Sequence, residues 1–180
     1  MAMAHPGEGF VVWLTGLSGS GKTTLAGLLE KEVSARGLEV EVLDGDAFRA
    51  HLGRELGFTR RDRDTNVRRI GYLCQVLKRH RIVTIVAAIS PYRNVRDELR
   101  AGCEGRFVEV YVKCPLEVLM QRDSKGLYRK AVAGEIQNFT GISDPYEEPL
   151  HPEIVVETDW QPPEESRRII MMTLERLGYL

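Results

Sequence analysis

The chain contains a phosphate-binding pattern, Gly16-Leu17-Ser18-Gly19-Ser20-Gly21-Lys22-Thr23, which reads G-x-x-x-x-G-K-T, the P-loop. The apolar run at residues 10–14 predicts a buried strand before it, and residues 24–30 predict a helix after it. Glycines let the backbone of such a loop curl until several N–H groups point inward, and the helix N-terminus adds partial positive charge. The pattern therefore predicts an α/β fold that binds a nucleoside triphosphate.

Two side chains of the P-loop are expected to contact different parts of the ligand. Lys22 can reach the β- and γ-phosphates of ATP, and the Thr23 hydroxyl can ligate Mg²⁺. A glycine-rich turn without a ligand is the alternative, and the strand–loop–helix setting disfavours it. We expect ATP to be bound by Gly16, Leu17, Ser18, Gly19, Ser20, Gly21, Lys22, Thr23 and Thr24.

Composition bounds the class of protein. With 180 residues, 43% hydrophobic and 28% charged, the chain predicts a single domain, residues 1–180, with a sizeable core. The net charge of −1 provides no global basic field for nucleic acid.

Three cysteines without regular spacing disfavour a disulfide framework and a structural zinc site. No apolar run approaches the ~20 residues of a membrane span and no secretory signal stands out, so we expect a cytoplasmic protein without nucleic-acid or membrane partners.

Apolar runs alternate with helical patterns along the whole chain, which predicts a three-layer, doubly wound α/β fold with a five-stranded parallel sheet. The polar segment 122–152 is too long for an ordinary connection and predicts a lid. The predicted strands are 10–14, 38–43, 82–89, 107–112 and 154–156, and the predicted helices are 22–36, a short one within 47–64, 61–80, 95–101, one that begins near Pro115, and 162–177.

Two aspartates follow the second predicted strand. Ligands of such sheets lie outside the carboxyl ends of the strands, so Asp44 and Asp46 are expected beside the P-loop. The third strand ends in Ala87-Ala88-Ile89-Ser90 and has no carboxylate there. Asp46 is the candidate base or acceptor-orienting group, and Asp44 the candidate ligand of Mg²⁺ or its water shell. The alternative is a turn built by Asx side chains around Gly45.

Other polar residues have two interpretations each. The arginine-rich stretch 60–69, together with Arg49, either begins a solvated helix or grips an anionic acceptor. Phe58 and Phe139 are either loop anchors or platforms for a planar base. Ser90 either terminates a strand or places a hydroxyl in the acceptor site, and the cations of residues 122–130 belong to a surface loop or to a lid that closes on phosphates.

Several motifs together resemble the adenylylsulfate kinase (APS kinase) family. The resemblance runs from about residue 10 to residue 159, in the family's order and with similar gaps. Its more specific elements are Leu43-Asp44-Gly45-Asp46, Ile89-Ser90-Pro91-Tyr92, Lys125-Gly126-Leu127-Tyr128 and Phe139-Thr140-Gly141-Ile142.

The resemblance implies transfer of the ATP γ-phosphoryl group to the ribose 3′-hydroxyl of adenosine 5′-phosphosulfate, with Mg²⁺, by an enzyme that is often a homodimer. It implies that Phe58 and Phe139 sandwich the acceptor's adenine, and that Arg122 and Thr158 lie on the donor side. Some family members are described as phosphorylated on the serine that corresponds to Ser90, although direct in-line transfer needs no such nucleophile. The expected catalytic residues are Asp46, Lys22 and Ser90, and the expected acceptor-binding residues are Asp44, Asp46, Arg49, Phe58, Arg63, Asn66, Ile89, Ser90, Lys125, Phe139 and Thr140.

Two alternatives compete with this reading. A P-loop kinase that acts on another small nucleotide or on a sugar acid would share the donor half of the site. A catalytically inactive homologue that senses a nucleotide is disfavoured because Lys22, Thr23 and Asp46 are all present.

Overall fold

Five strands form one parallel sheet in the computed structural model, which describes residues 9–123 and 125–180. The strands are β1 (Val11–Thr15), β2 (Val40–Asp44), β3 (Val83–Ala87), β4 (Phe107–Lys113) and β5 (Ile154–Glu157). Their order across the sheet is β2-β3-β1-β4-β5, and every neighbouring pair is parallel. The predicted doubly wound sheet is confirmed, and β1, which carries the P-loop at its end, lies at the centre.

The central strands are the most apolar because both of their faces are covered. Every residue of β1 and of β3 is buried, whereas β2 at one edge is only partly buried. This matches the sequence, in which β2 alternates apolar with acidic residues and β3 is almost continuously apolar. One core layer joins the sheet to the helices on one face, and a second layer fills the other face around Trp13 and Ile70.

The helices lie close to their predicted positions. They are α1 (Lys22–Ala35), α2 (Gly45–Leu52), α3 (Arg60–Arg79), α4 (Arg93–Gly102), α5 (Leu116–Arg122), α6 (Leu127–Val132) and α7 (Pro163–Arg176). The short helix expected within 47–64 begins earlier, at Gly45, because the Asp44 side chain caps it directly at the end of β2. Helix α6 lies inside the segment 122–152, where no helix was predicted.

The three cysteines, all of which the structure describes, form no disulfide bonds with one another. Cys74, Cys103 and Cys114 are all buried and free. Within the two described ranges, none of the helices combines the length and the apolar character that crossing a membrane requires.

Two helical glycines allow a matched test of the packing between α3 and α4. A Cβ at Gly71 would lie 2.1 Å from the Leu99 Cδ2 atom, whereas a Cβ at Gly27 in α1 meets nothing within 4 Å. We expect Gly71→Ala to lower the free energy of unfolding by about 1–3 kcal/mol because the core becomes overpacked. Gly27→Ala should raise it by about 0.5–1 kcal/mol through helix propensity. Urea denaturation measures both, and equal effects of the two variants would contradict this packing.

Candidate active site

A cleft of about 370 Å³ opens at the carboxyl edge of the sheet, between the P-loop, the β2–α2 junction and the end of β3. It brings together most residues predicted for donor and acceptor. The predicted residues that line it are Ser18, Gly19, Gly21, Lys22, Thr23, Thr24, Asp44, Asp46, Arg49, Phe58, Arg63, Asn66, Ile89, Ser90 and Lys125.

The P-loop has the tightly curled backbone that its glycines allow. Gly16 has a φ of 151°, and a Cβ there would lie 2.4 Å from the carbonyl oxygen of Val112. A side chain at this position would therefore push the loop away from β4. The loop then turns directly into α1, whose first residue is Lys22, so the N-terminal end of α1 faces the cleft and favours an anion.

Lys22 turns back onto its own loop. Its Nζ donates to the carbonyl oxygens of Gly16 and Leu17, at 2.8 and 2.7 Å. Burial lowers the pKa of this ammonium from 10.5 to about 8, and the nearby carboxylates of Asp46 and Asp44 partly oppose that shift. The ammonium is thus held against the loop by two of its carbonyl oxygens.

Asp44 caps α2 in the Asx-type arrangement that the sequence left open, and its role toward Mg²⁺ stays a prediction. Its Oδ1 accepts hydrogen bonds from the backbone N–H groups of Asp46 and Ala47, at 2.9 and 3.1 Å, which is the Asx-type cap of α2. Its Oδ2 accepts a hydrogen bond from the Thr23 hydroxyl at 2.8 Å. One carboxylate therefore connects the P-loop to the first turn of α2.

Asp46 projects into the cleft from that first turn. Its side chain is 87% exposed, and Lys125 lies 3.6 Å away across the opening. Its backbone N–H, and not its side chain, is the group that Asp44 holds. The carboxylate is consequently exposed to the cleft, with Lys125 as its cationic neighbour.

The wall opposite the P-loop is basic and aromatic. The guanidinium carbons of Arg49 and Arg63 lie 5.0 and 5.5 Å from the centre of the Phe58 ring, and burial lowers the pKa of both arginines. Asn66 is buried, and its Oδ1 has no hydrogen-bond partner among the described residues. Cations, an aromatic face and an unpaired acceptor oxygen suit an anionic nucleotide.

Phe139 and Thr140 do not line this cleft. Phe139 packs edge-to-face on Tyr128, with ring centres 5.1 Å apart, and Thr140 is buried in a turn with Asp144. The turn reaches the acceptor wall through Arg63, which donates to the carbonyl of the preceding Asn138. Their place in the acceptor pocket stays a prediction.

Arg122 and Thr158 lie on the opposite flank of the P-loop. They line a separate pocket together with Ser20, Gly21 and Thr24. Arg122 donates to the carbonyl of Thr158 at 2.9 Å, and the Thr158 hydroxyl donates to the carbonyl of Ser20 at 2.9 Å. Their role on the donor side stays a prediction.

The Ser90 hydroxyl points beneath the floor of the cleft. Its Oγ accepts from the indole N–H of Trp13 at 2.8 Å and donates to the carbonyl of Ala88 at 3.2 Å, and the residue is 3% exposed. Chemistry at this hydroxyl would break a buried hydrogen-bond network. The catalytic role of Ser90 stays a prediction, although the residue lines the cleft.

The family model described as adenylylsulphate kinase matches residues 8–157. The chain belongs to this family. Within the family, a 55% identical relative over 173 residues is the adenylyl-sulfate kinase of Rippkaea orientalis, and the match covers 96% of this chain and 95% of that protein. A 56% identical relative is the probable bifunctional SAT/APS kinase 2 of Sorangium cellulosum, of which the match covers only 30%.

A solved structure of the adenylylsulphate kinase family has nearly the same fold. The APS kinase CysC of Mycobacterium tuberculosis, in complex with AMPPNP and APS, is 39% identical, with a TM-score of 0.89 and coverage of 94% of this chain and 99% of that one. The five-stranded parallel sheet is thus shared with a family member that binds both molecules.

Sequence reasoning on this adenylylsulphate kinase missed Arg96 and Glu109. They form a buried ion pair, with Nε and Oε1 2.7 Å apart, and Arg96 also donates to the carbonyl of Ser90, which lines the cleft. A signal existed, because Arg96 lies beside Val95 on the apolar face of a helix, and Glu109 interrupts an apolar strand. Opposite charges at two positions patterned for the core indicate a buried pair.

Proposed function

We propose that this chain transfers the γ-phosphoryl group of ATP to the ribose 3′-hydroxyl of adenosine 5′-phosphosulfate, which gives 3′-phosphoadenosine 5′-phosphosulfate. The observation that carries the proposal is the position of Asp46, an exposed carboxylate in one cleft between the P-loop and a wall that holds Arg49, Arg63 and Phe58. Membership of the adenylylsulphate kinase family supports the same reaction.

On the donor side, the P-loop residues 16–24 hold the triphosphate, and Lys22 turns from the loop carbonyls to the β- and γ-phosphates. The developing charge on the transferred phosphoryl group is then neutralised by an ammonium in a partly dry site. Arg122 and Thr158 border the pocket for the ATP base.

On the acceptor side, Asp46 accepts the proton of the 3′-hydroxyl as that oxygen attacks the γ-phosphorus in line. Arg49, Arg63 and Lys125 hold the sulfate and phosphate oxygens, and Phe58 stacks on the adenine. The remaining contacts come from Asn66, Ile89, Ser90, Phe139 and Thr140.

The oxygen atoms of Thr23 and Asp44 fit a magnesium ion. They lie 2.8 Å apart at the mouth of the P-loop, and Mg²⁺ in kinases is bound by one or two protein oxygens together with substrate phosphates. When bound there, the ion would supply positive charge that offsets the negative charge of the ATP phosphates. Thr23 and Asp44 would orient it, and no all-protein metal cage is needed.

The segment 122–152 acts as a lid within one kinase domain, residues 1–180. Tyr128 of α6 donates its hydroxyl proton to the carbonyl of Ser18 at 2.8 Å, so the lid touches the P-loop directly. Closure would exclude water from the transfer. A homodimer and a cytoplasmic location stay predictions.

A coupled assay with ATP, Mg²⁺ and a panel of acceptors tests the function. We expect turnover with adenosine 5′-phosphosulfate, and ³¹P NMR of the product should show a new 3′-phosphomonoester. Gluconate, shikimate and adenosine monophosphate serve as controls. Faster turnover with a sugar acid, or none with adenosine 5′-phosphosulfate, would overturn the proposal.

Phe139 offers a test of base stacking. We expect Phe139→Ala to raise the acceptor KM by about tenfold or more, because stacking of a base on an aromatic ring contributes about 1–3 kcal/mol. The ATP KM should stay nearly constant. Ile142→Ala, in the same small apolar cluster, is the control for general loosening of the loop. An unchanged acceptor KM in Phe139→Ala, or equal effects of both variants, would rule out stacking by Phe139.

A further inference from the structure

A buried guanidinium joins three segments beneath the acceptor wall. Arg96 lies on α4 and is 2% exposed. Its Nε donates to the Glu109 Oε1 at 2.7 Å, its Nη1 to the Ser90 carbonyl at 2.6 Å, and its Nη2 to the Glu147 carbonyl at 2.7 Å. Each nitrogen of the planar fork therefore has its own acceptor in a different segment.

One of these segments lines the cleft, and another follows a turn whose place in the acceptor site is proposed above. The carbonyl of Ser90 belongs to the loop 89–91, which lines the cleft. Glu147 follows the turn that contains Phe139 and Thr140 and that meets Arg63. The third segment, β4 with Glu109, belongs to the rigid sheet. Arg96 thus connects loop 89–91 and the segment that carries Glu147 to a strand of the sheet.

Two further hydrogen bonds join segment 139–148 to loop 89–91 and to Arg93 just after it. The N–H of Glu147 donates to the Pro91 carbonyl at 2.8 Å, and the N–H of Arg93 donates to the Glu147 Oε2 at 2.9 Å. Ser90 itself has a φ of 42°, a conformation that non-glycine residues rarely adopt. The Arg96 bond to its carbonyl helps to hold the loop in that conformation.

Charge neutralisation alone does not explain Arg96. Glu109 also pairs with Arg100 at 3.1 Å, and Arg100 pairs in turn with Glu153. Glu109 would therefore keep a cationic partner without Arg96. What Arg96 adds is a pair of bonds to the backbone of two separate segments. A lysine ammonium has three donors on one nitrogen and lacks the planar spread with which the guanidinium reaches these two carbonyls and Glu109 at once.

We infer that Arg96 is a positioning residue, whose fork holds loop 89–91 against segment 139–148 and so sets the shape of the acceptor half of the cleft. The inference rests on the proposed function for the identity of the acceptor. The three acceptors of Arg96 lie outside the P-loop and the donor pocket, so we expect its substitution to change ATP binding little.

Two lysine variants on the same helix form a matched pair. Arg96→Lys is expected to raise the KM for adenosine 5′-phosphosulfate about tenfold, the scale of losing a charge-assisted hydrogen bond, with the ATP KM constant. Arg100→Lys alters the same buried charge cluster without touching loop 89–91 or segment 139–148, and both of its KM values should equal those of the wild type. Equal shifts of the two KM values in Arg96→Lys, or an unchanged acceptor KM, would overturn the inference.

Amide hydrogen exchange gives a readout that needs no acceptor. Arg96→Lys should exchange faster than the wild type at residues 89–93 and 139–148, and Arg100→Lys should not. Faster exchange at these residues in Arg96→Lys, together with no turnover of adenosine 5′-phosphosulfate by the wild type, would remove the proposed function and leave the positioning role. Normal turnover of adenosine 5′-phosphosulfate by the wild type, together with unchanged exchange in Arg96→Lys, would remove the positioning role and leave the proposed function.

A variant that keeps the arginine covers the case in which Arg96→Lys fails to fold. Glu109→Gln retains the shape and an acceptor oxygen but removes the charge that anchors the guanidinium. We expect a smaller rise of the acceptor KM, about threefold, with the ATP KM constant. An acceptor KM equal to that of the wild type, together with unchanged exchange at both segments, would overturn the inference.

Discussion

Replacing Asp46 by asparagine is expected to lower kcat by about 10²- to 10⁴-fold, the usual contribution of acid–base assistance, while ATP still binds. The carboxylate is 87% exposed and its side chain does not cap α2, so the amide should fit without changing the fold. An amide cannot accept the proton of the attacking hydroxyl. Rapid-quench measurement of the transfer step and calorimetric titration with AMPPNP separate the two effects.

An exposed aspartate outside the cleft provides the control. Asp97 lies on the surface of α4, and Asp97→Asn changes the net charge in the same way as Asp46→Asn. Its kcat should equal that of the wild type. If kcat of Asp46→Asn fell by less than about threefold, acid–base assistance by Asp46 would be excluded.

The second large effect is expected at Lys22. Lys22→Met should lower kcat by about 10²- to 10³-fold, as removal of a preorganised charge-stabilising group does, and should also weaken ATP binding. Methionine keeps the length of the side chain but cannot neutralise phosphate. Lys31→Met, on the exposed face of α1, controls for the loss of one positive charge. ATP affinity and kcat both within about twofold of the wild type in Lys22→Met would contradict the assignment.

The pKa of Lys22 adds a pH dependence. Since that pKa is about 8 without a ligand, and bound phosphates favour the ammonium, ATP binding above pH 8 must take up a proton. The affinity for ATP should fall by up to about tenfold per pH unit above 8, and Lys22→Met should lack this slope. Calorimetry in buffers of different ionisation enthalpy detects the proton directly.

Above pH 8, the free energy of unfolding of the protein without ATP changes in the opposite direction to the affinity for ATP. Between pH 8 and 10.5 the unfolded chain holds a proton on Lys22 that the folded protein has lost. The unfolded state then binds more protons, so the contribution of Lys22 to the free energy of unfolding increases as the pH rises through this window. Denaturation of the wild type and of Lys22→Met at both pH values measures the difference.

The sequence predicted the sheet and the P-loop because their signals are local. The strand before Gly16 and the helix after it are encoded by neighbouring residues, and the position of Asp44 and Asp46 follows from a rule about parallel sheets. The placement of Phe139 could not be predicted in this way. It depends on a turn in the long segment 122–152, whose packing against Tyr128 and Arg63 has no periodic signal.

The orientation of single side chains was also beyond the sequence. Ser90 follows a buried strand, and only the tertiary structure shows that its hydroxyl meets Trp13 and not the cleft. Arg96 has three acceptors that are separated in the chain by 6, 13 and 51 residues. Such a residue looks like one more charge on a helix until the fold brings its partners together.

Asp44 limits how this scaffold can diversify. It gives one oxygen to the Thr23 hydroxyl and the other to the backbone of the helix that bears Asp46. If the proposed function holds, a substitution there would alter nucleotide binding and the helix that bears Asp46 in the same step. Phe58 and Asn66 line only the far wall, so new acceptors can be recruited by exchanges at those positions. The chain can therefore evolve its choice of acceptor separately from its use of ATP, but only while position 44 stays fixed.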